Sequence, residues 1–307
     1  NKKKTDFETF FDLQNVDLVF DEISYKKLKK DKSTLNINGS KINETVIFKN
    51  IDFKNNKNEL DINNLKLNNS KILNIDKIRL NHLKKNDFKN QLILIKKNKK
   101  YELLGKSFDS MQLIENISDS HPNKSFFKMF KNLNTKIKIN IDEIQLDKEN
   151  IVNNLSGNLE IKNSKIYSLN LNSNFTNNEK LFISIKTQKD NAVVTTFYSD
   201  RAKPFVKKYK FIKGFDEGNL DFSSKKINNV SKSKLIIDNF KVREIPALAQ
   251  ILTLASLQGI ADLLTGEGVR FSDFEMIYSN KDGLTTIEEI YAIGPAISIM
   301  MEGYVEG

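Results

Sequence analysis

Apolar and polar residues alternate with a period of two along most of this chain. The clearest run is KIKINIDEIQL at residues 136 to 146, where Ile137, Ile139 and Ile141 alternate with lysine and asparagine. Similar runs recur about every 10 to 15 residues, separated by Asn, Asp, Lys and Gly. Because successive side chains of a strand point to opposite faces, this period is typical of β-strands. The pattern therefore predicts a mainly β fold made of many short antiparallel strands.

Three stretches interrupt the alternation and predict short helices. Residues 106 to 132 predict two helices around a His121-Pro122 turn, and residues 202 to 210 predict another. The third prediction is a helix over 246 to 264, because Pro246 suits the first turn of a helix and Gly266 to Gly268 suit its end. The chain then divides into a strand array over 1–105, a helical insertion over 106–132 and a second region over 133–307, with the alternative of one continuous sheet.

A strictly alternating sheet has one apolar face, which must be covered. The predicted helices are too few to cover so many strands. The sheet must therefore close on itself, pair with a second sheet, or leave an open apolar trough. The alternation alone does not separate an open trough from a closed sandwich with a packed core.

Composition adds little chemistry to this picture. The 49 Lys and Arg residues exceed the 39 Asp and Glu residues and give a net charge of +10. The lysines are scattered, with only short clusters such as Lys26 to Lys32. A solvated strand face is therefore a better interpretation than a binding patch. Trp is absent and the Phe residues fall at apolar positions, so we expect no nucleic-acid partner. Heavy use of Asn, Lys and Ile is typical of an AT-rich genome.

The sequence contains no cysteine, no apolar run long enough for a membrane span and no signal peptide. It opens on Asn-Lys-Lys-Lys, and we interpret it as an internal piece of a longer protein. Its two histidines, His82 and His121, lack metal-ligand spacing and predict turn or surface positions. No nucleophile elbow and no phosphate-binding loop occurs. We therefore expect no catalytic residues, no metal and no cofactor, and the chain is not expected to be an enzyme.

The last 73 residues carry a resemblance to a known family. They read LIIDNFKVREIPALAQILTLASLQGIADLLTGEGVRFSDFEMIYSNKDGLTTIEEIYAIGPAISIMMEGYVEG, from Leu235 to Gly307. Their order of strand, Pro-started helix, Gly-x-Gly turn and further strands resembles the C-terminal region of the AsmA-like family of bacterial envelope proteins, the YhdP and TamB type. The sequence of the predicted helix and its end, with Pro-Ala-Leu-Ala, Leu-Ala-Ser-Leu and Gly-Glu-Gly, is most similar to the long YhdP-like members of alphaproteobacteria.

The resemblance implies a fold and a function. The fold would be a long, curved antiparallel sheet that forms a groove, with a few short helices. The function would be a non-enzymatic lipid bridge in the periplasm, anchored in the inner membrane by an N-terminal helix. Such a bridge supports phospholipid movement between the inner and outer membranes and the integrity of the envelope. Its partners would be phospholipid acyl chains and envelope proteins, and the family's pattern includes no catalytic residues.

These inferences name two sets of residues. Inward-facing apolar residues are predicted to line a lipid groove: Ile137, Ile139, Ile141, Ile183, Ile185, Val193, Phe197, Leu235 and Ile237. Residues of the last helix are predicted to cap one end or edge of the sheet: Pro246, Leu248, Ile251, Leu252, Leu263 and Leu264. The alternative function is a structural or assembly factor of the envelope, with a closed sandwich and no lipid groove. An extracellular adhesin or glycan binder ranks third, because such proteins usually present surface Trp or Tyr.

Overall fold

The computed structural model describes residues 4–20, 25–69, 71–83, 88–111, 134–163, 165–206, 213–244, 268–295 and 297–306. In this part of the chain, 18 strands belong to one large, mostly antiparallel sheet. Strands β2 and β3 form a separate two-stranded sheet. The prediction of a mainly β fold built on a long antiparallel sheet is confirmed. The chain divides into two compact units, 1–171 and 172–307.

The first unit holds twelve complete strands, joined mainly as hairpins. Most neighbours in sequence pair antiparallel, and β1 pairs with β4 on the side away from β5. Strands β10 and β11 are the exception, because they pair in parallel. The strands are β1 (Lys4–Asp12), β2 (Leu18–Phe20), β3 (Tyr25–Lys27), β4 (Ser33–Ile42), β5 (Thr45–Asn55), β6 (Asn58–Asn68), β7 (Lys71–Asn74), β8 (Lys77–Leu83), β9 (Lys89–Lys97), β10 (Lys100–Asp109), β11 (Thr135–Gln145) and β12 (Ile151–Lys162).

Strand β13 (Lys165–Phe175) contains the boundary between the units, and the second unit continues as an antiparallel meander. Each strand from β14 to β20 pairs with the next one in sequence. The elements are β14 (Lys180–Thr187), β15 (Val193–Ser199), the helix α1 (Lys203–Val206), β16 (Lys213–Ile227), β17 (Val230–Glu244), β18 (Val269–Lys281), β19 (Leu284–Ile293) and β20 (Ser298–Glu306).

Asparagine makes many of the tight turns between these strands. Among the described residues, 11 of the 15 non-glycine residues with positive φ are Asn. The two-residue turn between β9 and β10, for example, has Asn98 at φ 46° and Lys99 at φ 65°. Asn tolerates this left-handed conformation better than most residues, and two such residues in succession match the twist of a hairpin. The abundance of Asn therefore has a structural role beyond genome composition.

The alternation shifts by one residue at defined breaks in the ladder. In β17, Asn239 has φ 54°, and the register with β16 passes from Asp238 to Phe240 without a pair between them. Ile237 and Phe240 nevertheless both belong to one buried cluster, although regular alternation would place them on opposite faces. In β12, Asn154 has φ 57° and marks a similar break. The left-handed residue lets the apolar side chains on either side of it share one face.

The core of the second unit lies at one end of its strands. Phe240 stacks between Phe215 and Phe271, with ring centroids 5.2 Å apart on each side. Helix α1 covers this cluster through Ala202 and Val206, which are both buried. The prediction of a helix over 202–210 is confirmed for 203–206, and the rest of that range lies outside the described residues.

Two other helix predictions meet different outcomes. The helical insertion was predicted to begin at 106, but β10 continues to Asp109 because Phe108 pairs with Ile144 and is buried. Asp109 also donates its backbone N–H to the Asn90 side-chain oxygen at 2.7 Å, which fixes the end of the strand. Residues 112–133 lie outside the described residues. So does the predicted capping helix, with Pro246, Leu248, Ile251, Leu252, Leu263 and Leu264.

Candidate functional site

One face of the first unit carries a row of directly paired residues that crosses nine strands, with apolar side chains on seven of them. Each residue of this row is the direct cross-strand neighbour of the next, so the side chains share one face. From β1 to β12 the row reads Thr9, Ile37, Ile51, Ile62, Ile78, Leu94, Leu103, Ile139 and Gly157. We call it the first apolar row. The six members from Ile37 to Leu103 are half-buried, which leaves part of each side chain open to solvent.

A second line of residues runs beside the first apolar row, two positions along each strand. It includes Phe53, Leu60, Leu80 and Ile141, and it lies closer to the end of the sheet where β2 and β3 pack. The predicted residues Ile137, Ile139 and Ile141 all lie on this face and are buried. They pair with Tyr101, Leu103 and Gly105 of β10.

The second unit has an equivalent row across seven strands. It reads Ile183, Phe197, Phe222, Leu235, Met276, Ile290 and Met301 from β14 to β20. We call it the second apolar row. Its first six members are half-buried, and Met301 is 53% exposed. These side chains would be expected in a dry core, and their partial exposure marks a surface that can accept an apolar ligand.

The remaining predicted groove residues of this unit share the same face but not the same row. Ile237 lies one row toward the buried core and is itself buried. Ile185 pairs with Thr195 and Val193 pairs with Thr187, on the other side of the second apolar row. All six predicted residues of this unit therefore lie on one face of its strands. The sequence prediction did not include Phe222, Met276, Ile290 and Met301, although the spacings Leu220-x-Phe222 and Phe274-x-Met276 carry the same signal.

On the side of the second apolar row away from the core, strands β15 to β17 carry hydroxyl side chains. Ser224 pairs with Ser233, and the Ser233 hydroxyl donates to the Ser224 hydroxyl at 2.9 Å. The next pair on this face is Lys226 with Ser231. On β16 and β17 the second apolar row therefore lies between a packed core and hydroxyl groups, whereas on β14 its neighbour on that side is Ile185.

The opposite face of each unit carries ion pairs, and we call it the polar face, although it also includes half-buried apolar residues such as Ile93 and Ile236. In the first unit, Arg79 donates its Nε–H to Asp61 at 2.6 Å, and this hydrogen bond together with the carboxylate charge raises the pKa of Arg79. In the second unit, Lys234 and Glu275 form an ion pair at 2.8 Å. The polar face of each unit thus carries charged side chains that its apolar row lacks.

Carboxylates also cluster on the polar face of the second unit. Asp238 pairs directly with Asp273, and burial together with the charges of Asp273 and Asp221 raises its pKa. Within the described ranges, however, no group of three or more His, Asp or Glu side chains is arranged to hold a metal ion. Nor, in those ranges, is any helix long and apolar enough to cross a membrane.

The prediction of a turn or surface position for His82 is wrong. His82 lies inside β8 and is only 4% exposed, while His121 lies outside the described residues. The His82 ring packs edge-on against Tyr25, with ring centroids 5.1 Å apart, and the His82 Nδ1 lies 3.4 Å from the Asn90 amide nitrogen. The alternation of residues 77 to 83 indicates that His82 lies in a strand, but nothing in the sequence indicates that β3 covers its side chain.

Hairpin β2–β3 is held over the apolar face by a buried lysine. Lys27 is fully buried, and its ammonium group donates to the backbone carbonyls of Gln14 at 3.3 Å, Val16 at 2.6 Å and Leu28 at 3.1 Å. Three carbonyl acceptors satisfy all three donors of an ammonium group. This lysine of the Lys26 to Lys32 cluster is therefore a structural tie, whereas the neighbouring Lys26 is exposed.

Comparison of the chain with protein-family models, with curated proteins and with solved structures found no match. The resemblance to the AsmA-like family therefore rests on the sequence features quoted above. Functional inference beyond those features depends on the two apolar rows and their surroundings.

Proposed function

We propose that this chain is a non-enzymatic lipid-binding segment of a bridge-like envelope protein, whose apolar rows hold phospholipid acyl chains. In the full protein it would act in the periplasm, anchored in the inner membrane, and support phospholipid transport to the outer membrane and envelope integrity. The observation that carries the proposal is the run of directly paired apolar side chains, most of them half-buried, across seven strands in each unit. The resemblance of residues 235 to 307 to the AsmA-like family supports the same function.

Physical chemistry favours acyl chains as the ligand of such a row. Each methylene removed from water contributes about 0.8 kcal/mol, and this contribution makes no directional demand. A row of Ile, Leu and Phe offers many weak, equivalent contacts, so a chain can move along it without losing one strong interaction. Lipid head groups can stay in water, because the rows are only half-buried.

The alternative is a structural or assembly factor with a closed sandwich. A sandwich needs a second sheet of comparable size over the apolar face. Among the described residues the second sheet has only the two strands β2 and β3. This observation favours lipid binding over the alternative, which remains an outcome of the experiment below.

Adjacent residues of β9 provide a matched pair of variants. Leu94 belongs to the first apolar row, whereas Ile93 points to the polar face, where its cross-strand neighbour is Arg79. Both side chains are half-buried. Leu94→Asp places a carboxylate on the proposed lipid path, with a desolvation cost of several kcal/mol when an acyl chain covers it. Ile93→Asp adds the same charge on the other face, between Arg79 and Leu104.

The measurement is the phospholipid retained by the purified chain, identified by mass spectrometry, together with the melting temperature. We expect lipid on the wild type and on Ile93→Asp, and little lipid on Leu94→Asp with a melt near that of the wild type. A wild type without lipid, combined with a collapsed melt for Leu94→Asp, would instead favour a closed structural core. Equal lipid on both variants would show that the apolar rows do not bind it.

A further inference from the structure

A cleft lies at one end of the apolar face of the first unit, beneath hairpin β2–β3. Its space measures about 280 Å³, counting the open mouth. Leu60 of β6 and Leu80 of β8 form the floor, and Phe20 and Tyr25 of the hairpin form the roof. Phe53 of β5 closes one side, with its ring edge-on to Tyr25 at 5.9 Å.

The floor of the cleft continues into the open apolar face. Leu60 and Leu80 are direct cross-strand neighbours, and Ile62 and Ile78 form the next pair of the same two strands. Ile62 and Ile78 belong to the first apolar row and are half-buried. A chain that lies on this row and turns along the strands therefore passes onto the floor of the cleft without crossing a polar group.

The other end of the cleft is polar and already satisfied. Asn55 and Asn58 pair across β5 and β6, and His82 and Asn90 pair across β8 and β9. The Asn55 amide donates to the Lys32 carbonyl at 3.0 Å, and Asn58 donates to Asn55 at 3.4 Å. An apolar chain that advanced farther would separate these groups from their partners, which costs free energy.

We propose that this cleft seats the methyl end of an acyl chain and sets the chain length that the first unit binds best. The inference rests on the proposed function and names the end point of its ligand. The hairpin acts as a stop, with Tyr25 as the roof and the paired polar side chains as the end wall.

The size and the walls of the cleft fit this occupant. The space open to the centres of water-sized spheres is only about 30 Å³, room for two or three waters at roughly 10–15 Å³ each, so this cleft holds the end of a chain rather than an entire lipid. Glu59 and Asn81 also border it, but they alternate with Leu60 and with Leu80 and His82, so their side chains belong to the other face. In agreement, the Glu59 carboxylate contributes to the raised pKa of Arg79, which lies on that polar face. Burial of Tyr25, with the nearby charge of Asp31, raises its pKa to about 12, as expected of a phenol removed from water.

The experiment measures binding of saturated fatty acids of stepwise increasing length to the full chain, by displacement of a fluorescent fatty acid. In the wild type, affinity should rise up to about fourfold per added methylene and then level off when the cleft is full. Leu80→Phe narrows the cleft and should move the levelling point to shorter chains. Phe20→Ala widens it and should move that point to longer chains. The control Leu94→Ala, on the open face, should lower affinity for all lengths together.

The inference is supported if the chain length at which affinity levels off shifts in opposite directions in the two cleft variants and stays the same in the control. A levelling point that is the same in all four proteins overturns it and leaves lipid binding in place. A wild type that binds no fatty acid of any length removes the proposed function as well. If Leu80→Phe fails to fold, as judged by circular dichroism, Phe20→Ala decides the question, because Phe20 is an exposed side chain.

Discussion

Replacement of Lys27 by methionine tests how hairpin β2–β3 is held in place. Methionine keeps most of the volume of the side chain but removes the ammonium group, so the carbonyls of Gln14, Val16 and Leu28 lose their shared donor. Hydrogen bonds to a charged group contribute about 1.5–3 kcal/mol each. Desolvation of the ammonium costs several kcal/mol in the native protein and offsets much of that sum. Since the three carbonyls belong to partly or fully exposed residues and can take water instead, we expect a net loss of about 1–3 kcal/mol.

The adjacent lysine gives the control. Lys26 is exposed on the outer face of the same strand and pairs with Val19, so Lys26→Met should change stability by less than about 0.5 kcal/mol. The assay is urea unfolding followed by tyrosine fluorescence, with limited proteolysis of the hairpin as a local readout. Faster cleavage near residues 14 to 30 in Lys27→Met alone is the expected result. Equal unfolding midpoints and equal cleavage for the two variants would refute the role of Lys27 as a tie.

Two other predictions concern charge and backbone packing. Because burial and its acidic neighbours raise the folded-state pKa of Asp238, the fold loses stability as pH rises through that pKa. Asp238→Asn should therefore melt higher than wild type at neutral pH, and scanning fluorimetry should show the difference in melting temperature shrinking on acidification. A difference that grows on acidification would contradict the sign. Gly157→Ala would place a Cβ 1.9 Å from the Asn170 carbonyl oxygen and should lower the free energy of unfolding by roughly 1–3 kcal/mol or more. In the control Gly303→Ala, the added Cβ meets nothing within 4 Å, so stability should stay nearly unchanged. Similar melting temperatures for the two variants would contradict the close approach at Gly157.

The fold class could be predicted from the sequence because alternation reports directly on which side chains share a face. Ile183, Phe197 and Leu235 were correctly placed on one face for this reason. The order of their neighbours was not predictable, since a period of two says nothing about which strand lies beside which. The parallel pairing of β10 with β11 shows the limit, because both strands alternate like their antiparallel neighbours.

Local exceptions to the alternation account for most of the missed residues. Ile237 and Phe240 are three apart, so a strict period of two assigns them to opposite faces, yet both are buried in one cluster. The break depends on the left-handed conformation of Asn239, which the residue type permits but does not require. The cleft beneath β2–β3 was also out of reach, because it depends on a contact between Tyr25 and His82, 57 positions apart in sequence.

The asparagine turns shape how this sequence can drift. Asn and Lys codons differ only at the third base, so single-base changes readily exchange the two residues. Lys30 and Lys99 already occupy left-handed positions, which shows that the turns accept lysine. An ordinary residue forced into that conformation costs roughly 1–2 kcal/mol, a loss borne by one turn without altering the rows of apolar side chains. Substitutions in such a chain can therefore accumulate at the hairpin turns, while the face that would contact a ligand stays unchanged.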